Sequence, residues 1–304
     1  MSAPVVPAVA PVAAATRKAK ATSHGLGGRT DSRGKRIVIH LLLILASIIA
    51  IFPIVRVVGV ALRPGNRLLD SEFALIPPGA TLQSFQHVLF ETDLPLWLFN
   101  SLVITVGASF VGLLLAATSA YAFARFKFPG RSVGLTLLLA TQLIPAAMLL
   151  VPLYILAVQL DLKNSFVGMV IAMSVTSVPF SIWILRGYFE TVPIELEEAA
   201  RIDGCSKLEA YWRILLPLST PALAIVFLFN FLAAWNDFFL PRILISSENL
   251  LTWTLGLQRF QAQFQTQWND LAAASIFISI PVVALFLYSS KWLISGVTAG
   301  GVKG

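Results

Sequence analysis

The sequence predicts an all-α integral membrane protein with six transmembrane helices, and three observations carry the prediction. Hydrophobic residues make up 57% of the chain and charged residues only 12%, about half the ~25% charged in an ordinary soluble domain. Too little polar surface remains to wrap a water-facing shell around one core. Apolar runs also recur at the length a helix needs to cross a bilayer, about 20 residues. Lastly, Lys and Arg gather in alternate connecting segments, the asymmetry that orients membrane helices.

Residues 1–36 hold Arg17, Lys18, Lys20, Arg29, Arg33, Lys35 and Arg36 among Ala, Pro, Ser and Gly. This composition predicts a disordered basic tail. The apolar run that follows is span-length and has no small-residue cleavage site after it, so the tail is expected to be uncleaved and cytoplasmic. Spans are expected at 37–62, 97–122, 132–157, 166–188, 217–240 and 271–292, within a six-helix membrane domain of 37–294, with a short tail at 295–304. With the amino terminus inside, internal loops carry Arg125, Lys127, Arg131, Arg186, Arg201, Lys207 and Arg213, and Lys291 and Lys303 close the chain inside. The outside receives the smaller set Arg63, Arg67, Lys163, Arg242 and Arg259. Both termini are therefore expected in the cytoplasm, in an inner or plasma membrane.

Pro53, Pro145, Pro152, Pro179 and Pro281 fall inside expected spans, where each removes a backbone donor. Packing irregularity and a hinge both fit them. Asp237 is expected in the polar interface at the outer end of the fifth span. Cys205 is the only cysteine, which excludes an intrachain disulfide, and His24, His40 and His87 lack metal-ligand spacing. The net charge of +7 is concentrated in the tail and internal loops, which points to membrane orientation and away from nucleic acid. A phosphate-binding loop is absent: the approach at Gly28 to Gly34-Lys35-Arg36 has one residue too many and lacks the hydroxyl. No nucleophile, base or metal constellation suggests an enzyme.

Between the fourth and fifth spans lies a polar internal segment, residues 194–217. Ala199 and Ala200 with Glu195, Glu197, Glu198 and Arg201 predict a short helix, with Glu197 and Arg201 as an i,i+4 surface pair. Gly204 offers a left-handed stop. Ser206-Lys207-Leu208-Glu209 reads as a capping box opening a second helix, which Pro217 is expected to interrupt. Helices this short are marginal alone in water, so a partner surface is expected on them. Outside the membrane, Leu257, Phe260, Phe264 and Trp268 recur at helical spacing, which fits an interfacial amphipathic helix or a contact surface.

Glu198-Ala199-Ala200, Gly204, Ile214, Leu216 and Pro217 match every fixed position of E-A-A-x3-G-x9-I-x-L-P. This spacing resembles the "EAA" loop of the membrane subunits of ABC importers. Tyr121-Ala122-Phe123-Ala124-Arg125 with Phe128-Pro129-Gly130, Gly187-Tyr188-Phe189-Glu190 and Trp235-Asn236-Asp237-Phe238 resemble carbohydrate permeases of that class, and the ending Gly296 to Gly304 resembles the smaller permease of maltose-type importers. The resemblance covers roughly 37–304.

That resemblance implies a type I ABC importer permease architecture and no enzyme activity in the chain. It implies a larger permease partner, an ATPase dimer that uses ATP and Mg, and an external sugar-binding protein, with no cofactor bound by this chain. The expected ATPase-coupling residues are Glu198, Ala199, Ala200, Arg201, Asp203, Gly204, Ile214, Leu216 and Pro217, with Glu198 meeting a basic residue of the ATPase. The tail residues Thr298, Gly300, Gly301 and Lys303 are expected to reach the ATPase, unless the Gly-rich end simply frays. Arg259, Phe260, Gln261, Gln263 and Phe264 are the expected contacts with the binding protein. Maltose or maltodextrin is the implied cargo. Trehalose, other oligosaccharides and glycerol phosphates stay open within the family, and a self-contained secondary transporter outside it.

Overall fold

The computed structural model describes residues 33–65, 76–261 and 266–300. The predicted disordered tail, apart from its last residues, lies outside them. Two compact units divide between Phe52 and Pro53. The described part of the first is the leading portion of α1 (Arg33–Ala61), where Leu41, Leu42, Leu45, Ile48 and Ile49 are all exposed. A helix apolar on every side and uncovered by its own unit belongs in lipid or against another chain.

The second unit is built around α3 (Leu94–Arg125), which packs along α6 (Phe166–Phe189) and α10 (Thr220–Trp235). Small residues permit this. Ala108, Ala116, Ala117 and Ala120 of α3 are buried, and a Cβ on Gly112 would stand 2.8 Å from Ser177 Oγ of α6. In lipid, where burial of apolar surface drives nothing, such close backbone packing holds helices together. Towards one end of α3 lies a core of Trp97, Phe231, Trp235 and Phe260; towards the other, Ala120, Leu185, Phe189, Tyr211 and Leu215. The short α2 (Gln83–Phe90) packs on α13 (Trp268–Gly300) at the Trp97 end.

α1, α3, α6 and α13 are each long and apolar enough to cross a membrane, and they match four expected spans. The third is not one helix: α4 (Arg131–Thr141) and α5 (Ala146–Gln159) meet at 101°. Pro145 lacks an N–H and pushes Ile144 out of helical geometry, which ends α4 before it is halfway through a long span. Pro53, Pro152, Pro179 and Pro281 instead sit inside continuous helices. The fifth expected span also departs from a single helix. α10 stops at Trp235, and α11 (Phe239–Leu244) follows a break at 236–238. α13 continues past 292 to Gly300, so the predicted tail from 295 begins as helix, with Thr298 and Gly300 on its backbone. Gly301 and Lys303 lie outside the described residues.

Candidate functional site

The segment between α6 and α10 folds as helix, turn, helix. α7 (Ile194–Ile202) ends at Gly204, whose φ of +95° only glycine adopts without strain. The Gly204 N–H donates to Arg201 O at 3.1 Å and the Cys205 N–H to Ala200 O at 2.9 Å, the paired bonds of a Schellman stop. The capping box opens α8 (Lys207–Ala210): Ser206 N–H donates to Glu209 Oε2 at 2.8 Å, and Glu209 N–H to Ser206 Oγ at 3.2 Å. The Ser206 backbone N–H, then its hydroxyl and Arg213, hold the Glu209 carboxyl below the ordinary range.

Pro217 does not interrupt the second helix as expected. It lacks the N–H that would bond one turn back, and the preceding Leu216 N–H reaches Tyr211 O instead, widening Tyr211–Leu215 into a π turn. The helix runs on through α9 (Leu216–Leu218) and turns by 78° into α10 after Ser219. Lys207–Leu218 therefore lies across the end of the bundle, outside the span.

An ion pair holds this element to the bundle. Arg125, the last residue of α3, places Nε 2.7 Å from Glu197 Oε1, with the two side chains 9% and 7% exposed. Its Nη2 donates to Val192 O at 2.9 Å, and Tyr121 Oη donates towards Glu197 Oε2 at 3.3 Å. The expected Glu197–Arg201 surface pair is thus not formed. Glu197 faces inward to a desolvated guanidinium, which no solvated neighbour matches, while Arg201 is exposed. Tyr211, 4.7 Å from the Tyr121 ring, and Leu215 anchor the second helix in the core. A second set, Arg131 and Arg186 on Glu190 at 2.9 and 2.8 Å, ties the start of α4 to the end of α6.

With the inner face committed, the outer face is uncovered among the described residues. Glu198, Ala199, Asp203 and Pro217 are exposed, Ala200 is buried, and Ile214 and Leu216 are half-buried. Ile202 is 86% exposed and Leu208 64%, a large apolar surface for a polar segment. Sequence reasoning missed Arg125 and Tyr121 as the base of the element. Both stand in the quoted Tyr121 to Arg125 motif, whose role has no local signature.

At the opposite end, Arg259 is exposed and bonds Glu248 Oε1 at 2.7 Å. Phe260 corrects an expectation: it is 4% exposed, edge-on to Trp97 at 5.9 Å between ring centres, and serves as core. The single amphipathic helix is not formed either. A 3₁₀ turn ends at Phe260, and Gln261, exposed, makes a β-bridge with Thr266 before α13 begins. Gln263 and Phe264 lie outside the described residues.

Residues 108–297 match the family model described as "Binding-protein-dependent transport system inner membrane component". The chain belongs to this family. As an ABC permease it is a non-enzymatic membrane component. Relatives include the "Maltose/maltodextrin transport system permease protein MalG" of Escherichia coli K12, 35% identical over 90% of this chain and 98% of the relative. The protein of the same description from Yersinia pestis is 34% identical over 87% and 92%. A solved bacterial ABC transporter "involved in the import of the acidic polysaccharide alginate" shares the fold, with a TM-score of 0.75 and 24% identity over 86% of this chain and 98% of that one. The permease fold is thus the type I importer fold, and its helix-turn-helix lies within the matched region.

Proposed function

We propose that this chain is one permease subunit of a carbohydrate importer of the maltose/maltodextrin kind, and that residues 194–217 couple it to a partner ATPase. The observation that carries the coupling role is the division of the helix-turn-helix into two faces. Glu197 is spent inward on Arg125, while Glu198, Ala199 and Ile202 present a carboxylate beside small and apolar groups to a partner. The maltose/maltodextrin permeases among its relatives support the cargo.

In this reading a larger permease completes the pathway, and an ATPase dimer consumes ATP and Mg while this chain binds neither. An external sugar-binding protein delivers the cargo near Arg259 and Gln261. The Lys and Arg asymmetry supports an inner-membrane protein with both termini and the coupling element in the cytoplasm. There Thr298, Gly300, Gly301 and Lys303 extend towards the ATPase. Glu198→Lys tests the coupling in the complete importer reconstituted in proteoliposomes. Maltotriose uptake is expected to fall at least tenfold while the complex still assembles and hydrolyses ATP. Uptake at the unmodified rate would overturn the coupling role of this face.

A further inference from the structure

Arg56 stands within the first membrane span and takes no part in the coupling element. It lies on α1 five residues before the helix ends at Ala61, about 7 Å below that end at 1.5 Å per residue. It lines a groove of about 410 Å³ between the last turns of α1 and the first turns of α13. Every residue lining this groove belongs to the second compact unit. Val60 and Ala272 are buried and form its floor, while Val57 and Trp268 are exposed and form its rims.

The depth of the groove follows from the helices that make it. Val60, Ala61 and Ala272 to Ala274 also belong to the core around Trp97, which fixes the groove at that end of the bundle. The run of alanines keeps α13 thin there and leaves space opposite Val57 and Val60. From Trp268, the first residue of α13, to Ser275 is seven residues, about 10 Å. The groove therefore runs from the interface, where tryptophan gathers, into the upper acyl region of one leaflet.

Among the lining residues only Arg56 and Ser275 carry polar side chains, and the Ser275 hydroxyl donates to Leu271 O at 2.7 Å. Arg56, half-buried, is thus the one charge in an apolar groove. A membrane arginine is kept where a counter-charge or water reaches it. Its stem lies along apolar surface while its head rises towards the interface. The guanidinium has five N–H donors, enough to grip a phosphate bidentately alongside its contacts within the chain. A helix of a partner subunit would fill the groove with apolar side chains and bring no anion, unless it carried a rare intramembrane acid. A phospholipid brings both parts, an acyl chain for the floor and a phosphate at the height Arg56 reaches.

We propose that this groove is a binding site for an anionic phospholipid, with an acyl chain along Val57, Val60 and Leu271, the phosphate on Arg56 and the Trp268 indole at headgroup level. The lipid is the counter-charge that keeps Arg56 in the span. Selection rests on net headgroup charge, because a zwitterionic headgroup carries an ammonium that offsets its phosphate. The site depends neither on the cargo nor on the coupling role proposed above.

The test uses the complete complex that copurifies with this chain, in phosphatidylcholine nanodiscs holding a trace of phosphatidylglycerol with a diazirine on its acyl chain. After irradiation, lipid-modified peptides are located by mass spectrometry. Labelling of 53–61 and 268–276 is expected to exceed, by about fivefold, that from a trace phosphatidylcholine with the same chain. Arg56→Gln is expected to bring phosphatidylglycerol down to the phosphatidylcholine level, and Arg56→Lys to keep about half of the preference. Ala272→Phe, by filling the floor, is expected to remove labelling by both lipids. Equal labelling by the two lipids in the unmodified protein, or an undiminished preference in Arg56→Gln, would overturn the site. No labelling of either stretch would also overturn it, as a groove covered by a partner subunit requires. Should Ala272→Phe fail to assemble, the two Arg56 variants decide.

Discussion

The turn at Gly204 and the break at Asp237 have the same outline, a helix, a short interruption and another short helix, yet they are held in different ways. At Gly204 every bond that shapes the turn comes from within a few residues: Ala200 and Arg201 carbonyls on one side, Ser206 and Glu209 on the other. At Asp237 only the cap is local: its Oδ1 accepts the Phe239 and Leu240 N–H groups at 2.9 and 3.2 Å. Thr254 Oγ1 donates to Asp237 O at 3.1 Å, and the far end of α11 is fixed by Asn164, whose N–H donates to Leu244 O at 2.8 Å. Asn164 Oδ1 also accepts from Ser246 and Ser247 N–H groups. A locally closed turn can swing as a rigid part on its hinges. A break tied to two other segments, at Thr254 and Asn164, changes only when those segments move.

The largest expected effect strikes the long-range ion pair of the coupling element. Glu197→Ala leaves Arg125 buried without its carboxylate, and breaking a buried pair from one side costs about 3–5 kcal/mol. The thermal unfolding midpoint of the solubilised complex should drop by many degrees, and the element should become protease-sensitive before the spans. A midpoint equal to that of the unmodified chain would mean the element is held by its own turn and core residues alone.

This contrast also explains what could be read in advance. The helix, the Gly204 stop and the capping box follow from residues a few positions apart, so Glu198 to Glu209 was legible throughout. The inward turn of Glu197 was not, because its partner Arg125 is 72 residues away and an exposed i,i+4 partner stood nearer in sequence. The spans were legible from apolar length, which counts residues and does not detect a bend. That is why α4–α5 and α10–α11 read as single helices. Phe260 read as surface because its spacing is amphipathic, whereas the Trp97 ring that covers it belongs to α3.

Next in size is Asn164→Ala, the counterpart at the membrane break. Asn164 has a φ of +55°, a left-handed conformation that costs an ordinary residue about 1–2 kcal/mol. Its side chain also makes the bonds that end α11, including Nδ2 to Ser247 Oγ at 2.6 Å. Together, about 2–4 kcal/mol should be lost. Hydrogen exchange should rise across 236–252 while 194–217 stays protected. Uniform loss of protection in both regions would end the distinction between local and distant control. Gly204→Ala should cost less, about 1–2 kcal/mol from the left-handed backbone alone, since nothing lies within 4 Å of the added Cβ. Its exchange should rise only at 203–206.

The smallest effect on stability belongs to Glu198→Gln, and it separates function from folding most sharply. Glu198 is exposed on the same turn as buried Glu197, so its replacement should change stability within about 0.5 kcal/mol. Neighbouring carboxylates on one short helix would then have opposite signatures: Glu197→Ala destabilising the chain, Glu198→Gln leaving it intact. If Glu198 meets a basic residue of the ATPase, the neutral side chain keeps its shape and loses a charge-assisted bond, and ATP hydrolysis per sugar moved should rise severalfold. The difference between the two should shrink at high salt, with the unmodified protein moving towards the variant, because screening weakens the charged contact that only the unmodified protein makes. An unmodified melting point with unmodified coupling would place the ATPase contact on the apolar surface of Ile202 and Leu208 instead of on the carboxylate.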